Sequence, residues 1–330
     1  MTVQITIVGL GQIGTSIGLA LAEHPELLRR VGHDRDFNIA RRAEKLGALD
    51  KVMFNLPASV READLVLLSL PLDQLRETMA IIAPELKEGA VVMDTCPVKE
   101  VVSAWAGELL PAGRHYVGLT PVINPAYLHA TESGVEAAHA DLFRGGLVAI
   151  VAPARTSSEA IKLAADLTRL FGANPLFADP LEMDGLMATT HLLPQLLAAA
   201  LVNATVDQPG WREARKVAGR AYAEVTGPVV HLGEPKALRS SVMLNRENVL
   251  RVMDSAIAAL QSLRSAIEAQ SNEALEERLE RARVGREKWF AERMRGEWIS
   301  SEATPAREYD TPSNVFGRML GLRQKPRPKK

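Results

Sequence analysis

Three glycines, Gly9, Gly11 and Gly14, stand in the spacing G-x-G-x-x-G, and an acid, Asp34, follows about twenty residues after the last of them. This spacing can hold a diphosphate and the ribose beside it. Glycine at 9 permits a tight turn, glycine at 11 lets the backbone approach phosphate oxygens, and glycine at 14 lets a helix close against a strand. The turn as a whole, with Leu10, Gln12 and Ile13 between the glycines, offers main-chain N–H groups and the positive end of a helix to the diphosphate. Asp34 can accept both adenosine ribose hydroxyls and would repel a 2′-phosphate, which favours NAD. Its neighbour Arg35 can stack on adenine or meet a phosphate, so NADP stays open. The bland alternatives are an ordinary strand-to-helix turn and a solvated acid at a strand end.

The flanking pattern argues for the first reading. Ile5, Ile7 and Val8 form a β-branched apolar run typical of a buried parallel strand. Beyond the glycines the period changes, and Ile13, Ile17 and Leu21 share one face of a helix. Strand-like runs recur at 28–33, 65–70, 90–93 and 116–118, with helical patterns at 39–46, 73–82 and 99–109 between them. This alternation predicts an α/β fold, a doubly wound, Rossmann-like parallel sheet with helices on both faces. Ligands in such sheets lie beyond the carboxyl ends of the strands. The residues expected on that rim are Gly9, Asp34, Ser69, Leu70, Pro71, Asp94, Thr95, Cys96 and Thr120. Residues 122–145 form an excursion with a helix expected near 135–142. A strand at 147–151, a helix at 158–171 and a short segment at 175–178 complete a dinucleotide-binding domain over 1–179.

From residue 180 the strand signals stop. Helical periods over 182–206, 211–226, 235–270 and 272–298 predict an all-helical domain, 180–298, for substrate binding and dimerisation. Its alanine-rich stretch 196–204 suits close helix packing at a homodimer seam. Residues 299–330, with four prolines and a basic end, are expected to be a disordered tail.

Composition narrows the function. The chain has 330 residues, 47% of them hydrophobic and 24% charged, as in a globular protein with a sizeable core. A net charge of −1 argues against a nucleic-acid partner. A single cysteine, Cys96, rules out an internal disulfide and a cysteine-based zinc site. The seven histidines lack paired ligand spacing, so no metal is expected. The N-terminus shows no basic region or cleavage site, and the most apolar stretch, 192–202, is too short to cross a bilayer. A cytoplasmic protein without a membrane partner is expected.

Several segments resemble the prephenate and arogenate dehydrogenase family. They are I-V-G-L-G-Q-I-G-T-S at 7–16, D-T-C-P-V-K at 94–99, Y-V-G-L-T-P at 116–121, G-V-E-A-A-H-A-D-L-F-R-G at 134–145, and the stretches 184–201 and 245–250. The resemblance runs in consistent order over residues 3–270. It implies a dinucleotide domain followed by a helical dimerisation domain, and an NAD(P)-linked oxidative decarboxylation on the route to tyrosine. The resemblance also departs at the substrate end. Pro97 stands where the family has serine, Thr120 where it has the histidine that takes the hydroxyl proton, and Gln195 where a second histidine stands. Gly227 replaces an arginine that grips a substrate carboxylate, and His191 lies one position away from a family histidine, about 100° round the helix.

Three residues are therefore the candidates for chemistry. Thr120 can hydrogen-bond a substrate oxygen but is too weak a base. His191 is a candidate replacement base or a core histidine, and Lys99 a candidate for holding a carboxylate or polarising an oxygen, or a surface lysine. His129 could reach the cleft, and Arg212, Arg215 or Arg220 could substitute for the missing clamp. Cys96 is expected to be a buried, inert thiol and Asp184 a helix cap. The expected function is an NAD(P)-dependent oxidoreductase of this family acting on a small carboxylate substrate. The alternatives are a dehydrogenase or reductase of another small carboxylate, and a non-catalytic nucleotide-binding dimer.

Overall fold

The computed structural model describes residues 2–230 and 235–296; the tail expected over 299–330 lies outside the described residues. In chain order the first part comprises β1 (Val3–Val8), α1 (Gln12–Leu21), β2 (Leu28–His33), α2 (Phe37–Lys45), β3 (Lys51–Val52), α3 (Leu56–Val60) and β4 (Leu65–Leu68). It continues through α4 (Leu72–Ile82), β5 (Val91–Asp94), α5 (Glu100–Leu109), β6 (His115–Val122), β7 (Leu147–Val151), α6 (Ser158–Leu170) and β8 (Asn174–Ala178). The eight strands form one sheet in the order β3-β2-β1-β4-β5-β6-β7-β8. The winding reverses between β1 and β4, and a crevice at such a reversal is where α/β sheets bind ligands.

Alternation along β4 shows how the two faces are filled. Leu65 and Leu67 pack into the core beneath α1, α2 and α6, while Val66 and Leu68 join the opposite core with Leu75 and Met79 of α4 and Val102 of α5. A strand buried on both faces reads as a continuous apolar run, which is why Leu65–Leu68 carries no polar residue.

Two expectations need correction. The sheet is not wholly parallel, because β6 and β7 pair antiparallel, Leu119 opposite Ile150. The chain between them makes no crossover helix and returns at the rim, so the next strand must run the other way. The helix expected near 135–142 is a short 3₁₀ turn, Gly134–Ala137, and His139 just beyond it donates its N–H to Ser16 Oγ at 3.0 Å. Gly134 has φ +71°, outside the helical region, and the docking on α1 replaces a helix of its own.

The second part holds helices joined by short turns and has no strand among its described residues. It holds α7 (Pro180–Met187), a π turn (Ala188–Leu192), α8 (Leu193–Val206), α9 (Trp211–Val217), α10 (Arg220–Val230), α11 (Pro235–Leu244), α12 (Arg246–Glu268) and α13 (Asn272–Arg295). The π turn sits just ahead of Pro194, whose ring lacks an N–H and crowds the carbonyl four residues back. The expected single helices over 211–226 and 235–270 are each broken in two, the latter at Asn245. The run from Pro180 to Val206 is continuous, so by length and composition alone it is long and apolar enough to cross a membrane, contrary to the reading of 192–202 by itself. Only 17% of its most apolar window is buried within the protomer.

Candidate active site

The glycine turn is built as its spacing requires. Gly9 has φ +91°, and a Cβ there would collide with the Ser69 carbonyl oxygen. A Cβ at Gly14 would strike the Gly9 carbonyl, whereas at Gly11 it would meet open space. Gly9 and Gly14 thus close the turn, and Gly11 leaves its outer face bare. Helix α1 begins without a side-chain cap and without an acid in its first turn. An uncapped, open helix start on a bare glycine face fits a diphosphate group.

Asp34 does more than wait for a ribose. Its Oδ2 accepts the Leu10 N–H at 2.8 Å and its Oδ1 accepts the Asp36 N–H at 2.8 Å. The carboxylate therefore fixes the glycine turn from the end of β2, and a carboxylate that accepts two N–H bonds keeps further lone pairs for hydroxyl donors. Gln12 reaches away from this rim, its amide donating to the Ala137 carbonyl at 3.1 Å. Arg35 is exposed beside Asp34.

A cleft of about 560 Å³ opens between the sheet rim and the helical part. Ile13, Ser69, Leu70, Pro71, Thr95 and Cys96 line it from the sheet side, and Thr190, His191, Pro194 and Gln195 from the π turn and α8. Pro228 of α10 and Leu238 and Ser241 of α11 complete the wall. The structure so brings five of the expected rim residues, Ser69, Leu70, Pro71, Thr95 and Cys96, together with Ile13 of the glycine turn and His191. Crowding in the cleft holds the His191 imidazole below its ordinary pKa, while the ring keeps solvent access through the mouth.

Behind the cleft lies a buried network. Lys99 is no surface lysine: it and Asp94 are both 0% exposed, with Nζ 2.8 Å from Asp94 Oδ1. The same oxygen accepts the Cys96 N–H at 2.7 Å, and Oδ2 accepts the Tyr116 hydroxyl at 2.6 Å. Three donors thus hold this carboxylate, two on Oδ1 and one on Oδ2. Burial, with Asp94 adding to it, pushes the Tyr116 hydroxyl well above the usual tyrosine range. Burial likewise drives the Cys96 thiol up, so it stays protonated and inert.

Asp184 corrects a further expectation. It does not cap its own helix, which starts at Asp179. Buried inside α7, it caps α5 instead, accepting the Lys99 N–H at 2.5 Å and the Glu100 N–H at 3.2 Å. Asn245, between α11 and α12, donates to the Asp184 carbonyl at 2.8 Å. One aspartate so ties the helical part to the helix that carries Lys99. Only an acid within a helical period was visible beforehand; its partner eighty-five positions away was not.

Thr120 is 4% exposed, and its Oγ1 is buried with no hydrogen-bond partner among the described residues. The register Asp94 opposite Gly118 puts it two residues further towards the rim. A buried hydroxyl without a partner fits a bond made to an incoming group. Arg212, Arg215 and Arg220 are exposed on α9 and α10, and Arg220 is paired with Glu224 at 2.7 Å. Sequence reasoning passed over Arg293, a 6% exposed residue of α13 that donates to the Ile123 carbonyl, three positions past Thr120. Nothing in the charged pattern of α13 distinguished it from the solvated arginines around it.

Residues 17–176 match the family model of the prephenate dehydrogenase nucleotide-binding domain, and residues 179–281 that of the prephenate dehydrogenase dimerization domain. The chain belongs to the prephenate dehydrogenase family. It is 29% identical over 286 residues to the cyclohexadienyl dehydrogenase of Zymomonas mobilis, covering 86% of this chain and 94% of that protein. It is 25% identical over 273 residues to the prephenate dehydrogenase of Bacillus subtilis, covering 82% and 72%. Among solved structures it is similar to the prephenate dehydrogenase of Aquifex aeolicus with hydroxyphenyl propionate and NAD+ (TM-score 0.77, 24% identity, 87% and 98% covered). A second is the arogenate dehydrogenase of Synechocystis (TM-score 0.68, 21% identity, 87% and 99% covered). These two share the fold. Family membership makes the chain a dehydrogenase with a nucleotide-binding domain, and the resemblance to this family is borne out, its segments 94–99, 116–121 and 134–145 lying inside the matched nucleotide-binding domain.

Proposed function

We propose that this chain is an NAD-dependent dehydrogenase that oxidises and decarboxylates a small cyclohexadiene carboxylate of the prephenate or arogenate type. The observation that carries this is the shared cleft: Ile13, from the helix start that would seat the diphosphate, and His191 line the same cavity. When bound there, a nicotinamide would supply the hydride acceptor. Gly9, Leu10, Gly11, Gln12, Ile13 and Gly14 would hold its dinucleotide, with Asp34 and Arg35 at the adenosine end and Ser69, Leu70, Pro71 and Thr95 towards the ring. Asp94 serves this rim from behind, by fixing Cys96 and Lys99.

His191 is the group we assign to the proton of the substrate hydroxyl. It is the histidine in the cleft lining, and its lowered pKa keeps it neutral, and so able to accept a proton, at neutral pH. Thr120 donates to, or accepts from, a substrate oxygen. Lys99, sealed beside Asp94, acts through position and not by contact. The exposed apolar helices after residue 180 support a homodimer, and the family setting a cytoplasmic biosynthetic role. NAD is preferred over NADP because the Asp34 carboxylate, already fixed by two N–H donors, would face a 2′-phosphate with like charge.

The test is turnover of prephenate and arogenate, with NAD and NADP, by wild-type protein and His191→Asn. Reduced nicotinamide from one of the two substrates is expected, with kcat lowered roughly 10²–10⁴-fold in the variant. Turnover of neither substrate while NAD still binds would overturn the assignment, and an unchanged kcat in His191→Asn would remove the histidine from it.

A further inference from the structure

At the opposite end of the sheet from the cleft, a second cavity of about 340 Å³ lies between α5 and the loop joining β7 to α6. We propose that it binds a small organic carboxylate with an apolar body. Arg114, His115 and Arg155 stand around it, and none of its lining residues is acidic. Arg114 donates from Nε and Nη2 to the Leu86 carbonyl, at 3.1 and 2.7 Å, and from Nη1 to the Ala112 carbonyl at 2.9 Å. Those bonds hold the guanidinium in place, and it makes no ion pair among the described residues. Arg155 is exposed at the mouth and, like His115, makes no ion pair among the described residues.

The remaining wall selects the body of the ligand. Leu110, Pro111 and Pro153 present apolar surface, which a bare inorganic anion would leave uncovered. Tyr116 and Ser103 contribute the polar part of the lining. The Ser103 Oγ is buried beside the Tyr116 hydroxyl, which donates to Asp94, and makes no bond of full hydrogen-bond geometry among the described residues. The positive charges of Arg114 and Arg155, with Arg155 exposed and able to turn its guanidinium to a ligand, match a carboxylate, and the volume suits one ring or a short chain. The cavity lies at the amino ends of β5 and β6, so it is separate from the cleft at their carboxyl ends.

The full chain is the material for the test, and 3-phenylpropionate, with its neutral amide as control, is the probe. Hydrogen exchange followed by mass spectrometry locates binding. Protection of 103–116 and 152–157 by the acid and not by the amide is expected. Gly107 lines the cavity, and a Cβ there meets open space, so Gly107→Leu fills it from within an intact helix. This variant should lose that protection, and Arg155→Ala, an exposed change that spares the fold, should weaken it about tenfold in ligand concentration. Protection confined to 69–72 and 190–195, equal protection in Gly107→Leu, or none anywhere would each overturn the proposal.

Discussion

At the scale of single residues, the centre of this protein is an ion pair that no solvent reaches. Lys99 and Asp94 were legible as a spaced pair of charges at the end of one strand and the start of the next helix. Their burial was not, because a lysine beside a cleft is ordinarily half-solvated and only the packed sheet shows otherwise. Removing one partner leaves the other charged and desolvated. Lys99→Met should therefore cost about 3–5 kcal/mol of unfolding free energy, measured by urea denaturation. Lys99→Met combined with Asp94→Asn should recover part of that loss, since the double variant buries no charge. A Lys99→Met protein as stable as the parent would mean that the pair is open to water. His191 gives a second test at this scale. Its folded pKa lies below the unfolded value near 6.5, so the folded state resists protonation. The sign follows: its contribution to stability is complete above pH of about 6.5 and is lost as pH falls through the lower, folded value. His191→Asn should flatten the acid limb of stability against pH, and an identical limb in both proteins would show that the ring titrates freely.

At the scale of elements, the alternation of strands and helices was readable because the central strands β1, β4 and β5 are buried on both faces and helices such as α4 on one. Ile5, Ile7, Ile17 and Leu21 fill one core in that manner. What escaped was every feature decided by a distant contact. The Gly134–Ala137 turn owes its form to docking on α1, and the β6–β7 pairing to the path of the excursion. Asp184 is the most consequential case, since an acid inside α7 caps α5 across the boundary between sheet and helices. Asp184→Ala would leave two helix-start N–H groups buried and unpaired. A loss of about 1–3 kcal/mol is expected, larger than an exposed cap gives. Because α5 begins beside Thr95 and Cys96, the same change should raise KM for the nucleotide more than a surface variant of equal stability, such as one in α13. Equal effects on both would reduce Asp184 to a purely structural cap.

At the scale of the whole molecule, the helical part carries exposed apolar side chains on two helical runs. On α12, Leu250, Ile257, Leu260 and Ile267 fall at spacings of seven, three and seven and are all exposed, while Val249, Val252 and Ala266 are buried. Such spacing places the four on one stripe of the helix, turned from the protomer's own core. The run from Pro180 to Val206, with Leu181, Leu186 and Leu197 exposed, adds a second apolar surface. Large apolar side chains exposed in such rows mark a candidate interface. The matched module is a dimerization domain, and the sequence signal for it was the alanine-rich 196–204, now seen on α8 beside these leucines. A second copy of the chain would cover both surfaces, and a two-fold arrangement would close the assembly at two. Light scattering should therefore give twice the 35.9 kDa of one chain, in buffer without detergent. Placing two charges in the stripe, Ile257→Asp with Leu260→Asp, should shift the protein to monomer at micromolar concentration and lower its thermal midpoint. The cleft is formed within one protomer, so nucleotide binding should outlast dissociation wherever the monomer remains folded. A wild-type mass of one chain would leave those leucines unexplained and would remove the dimer from the proposal.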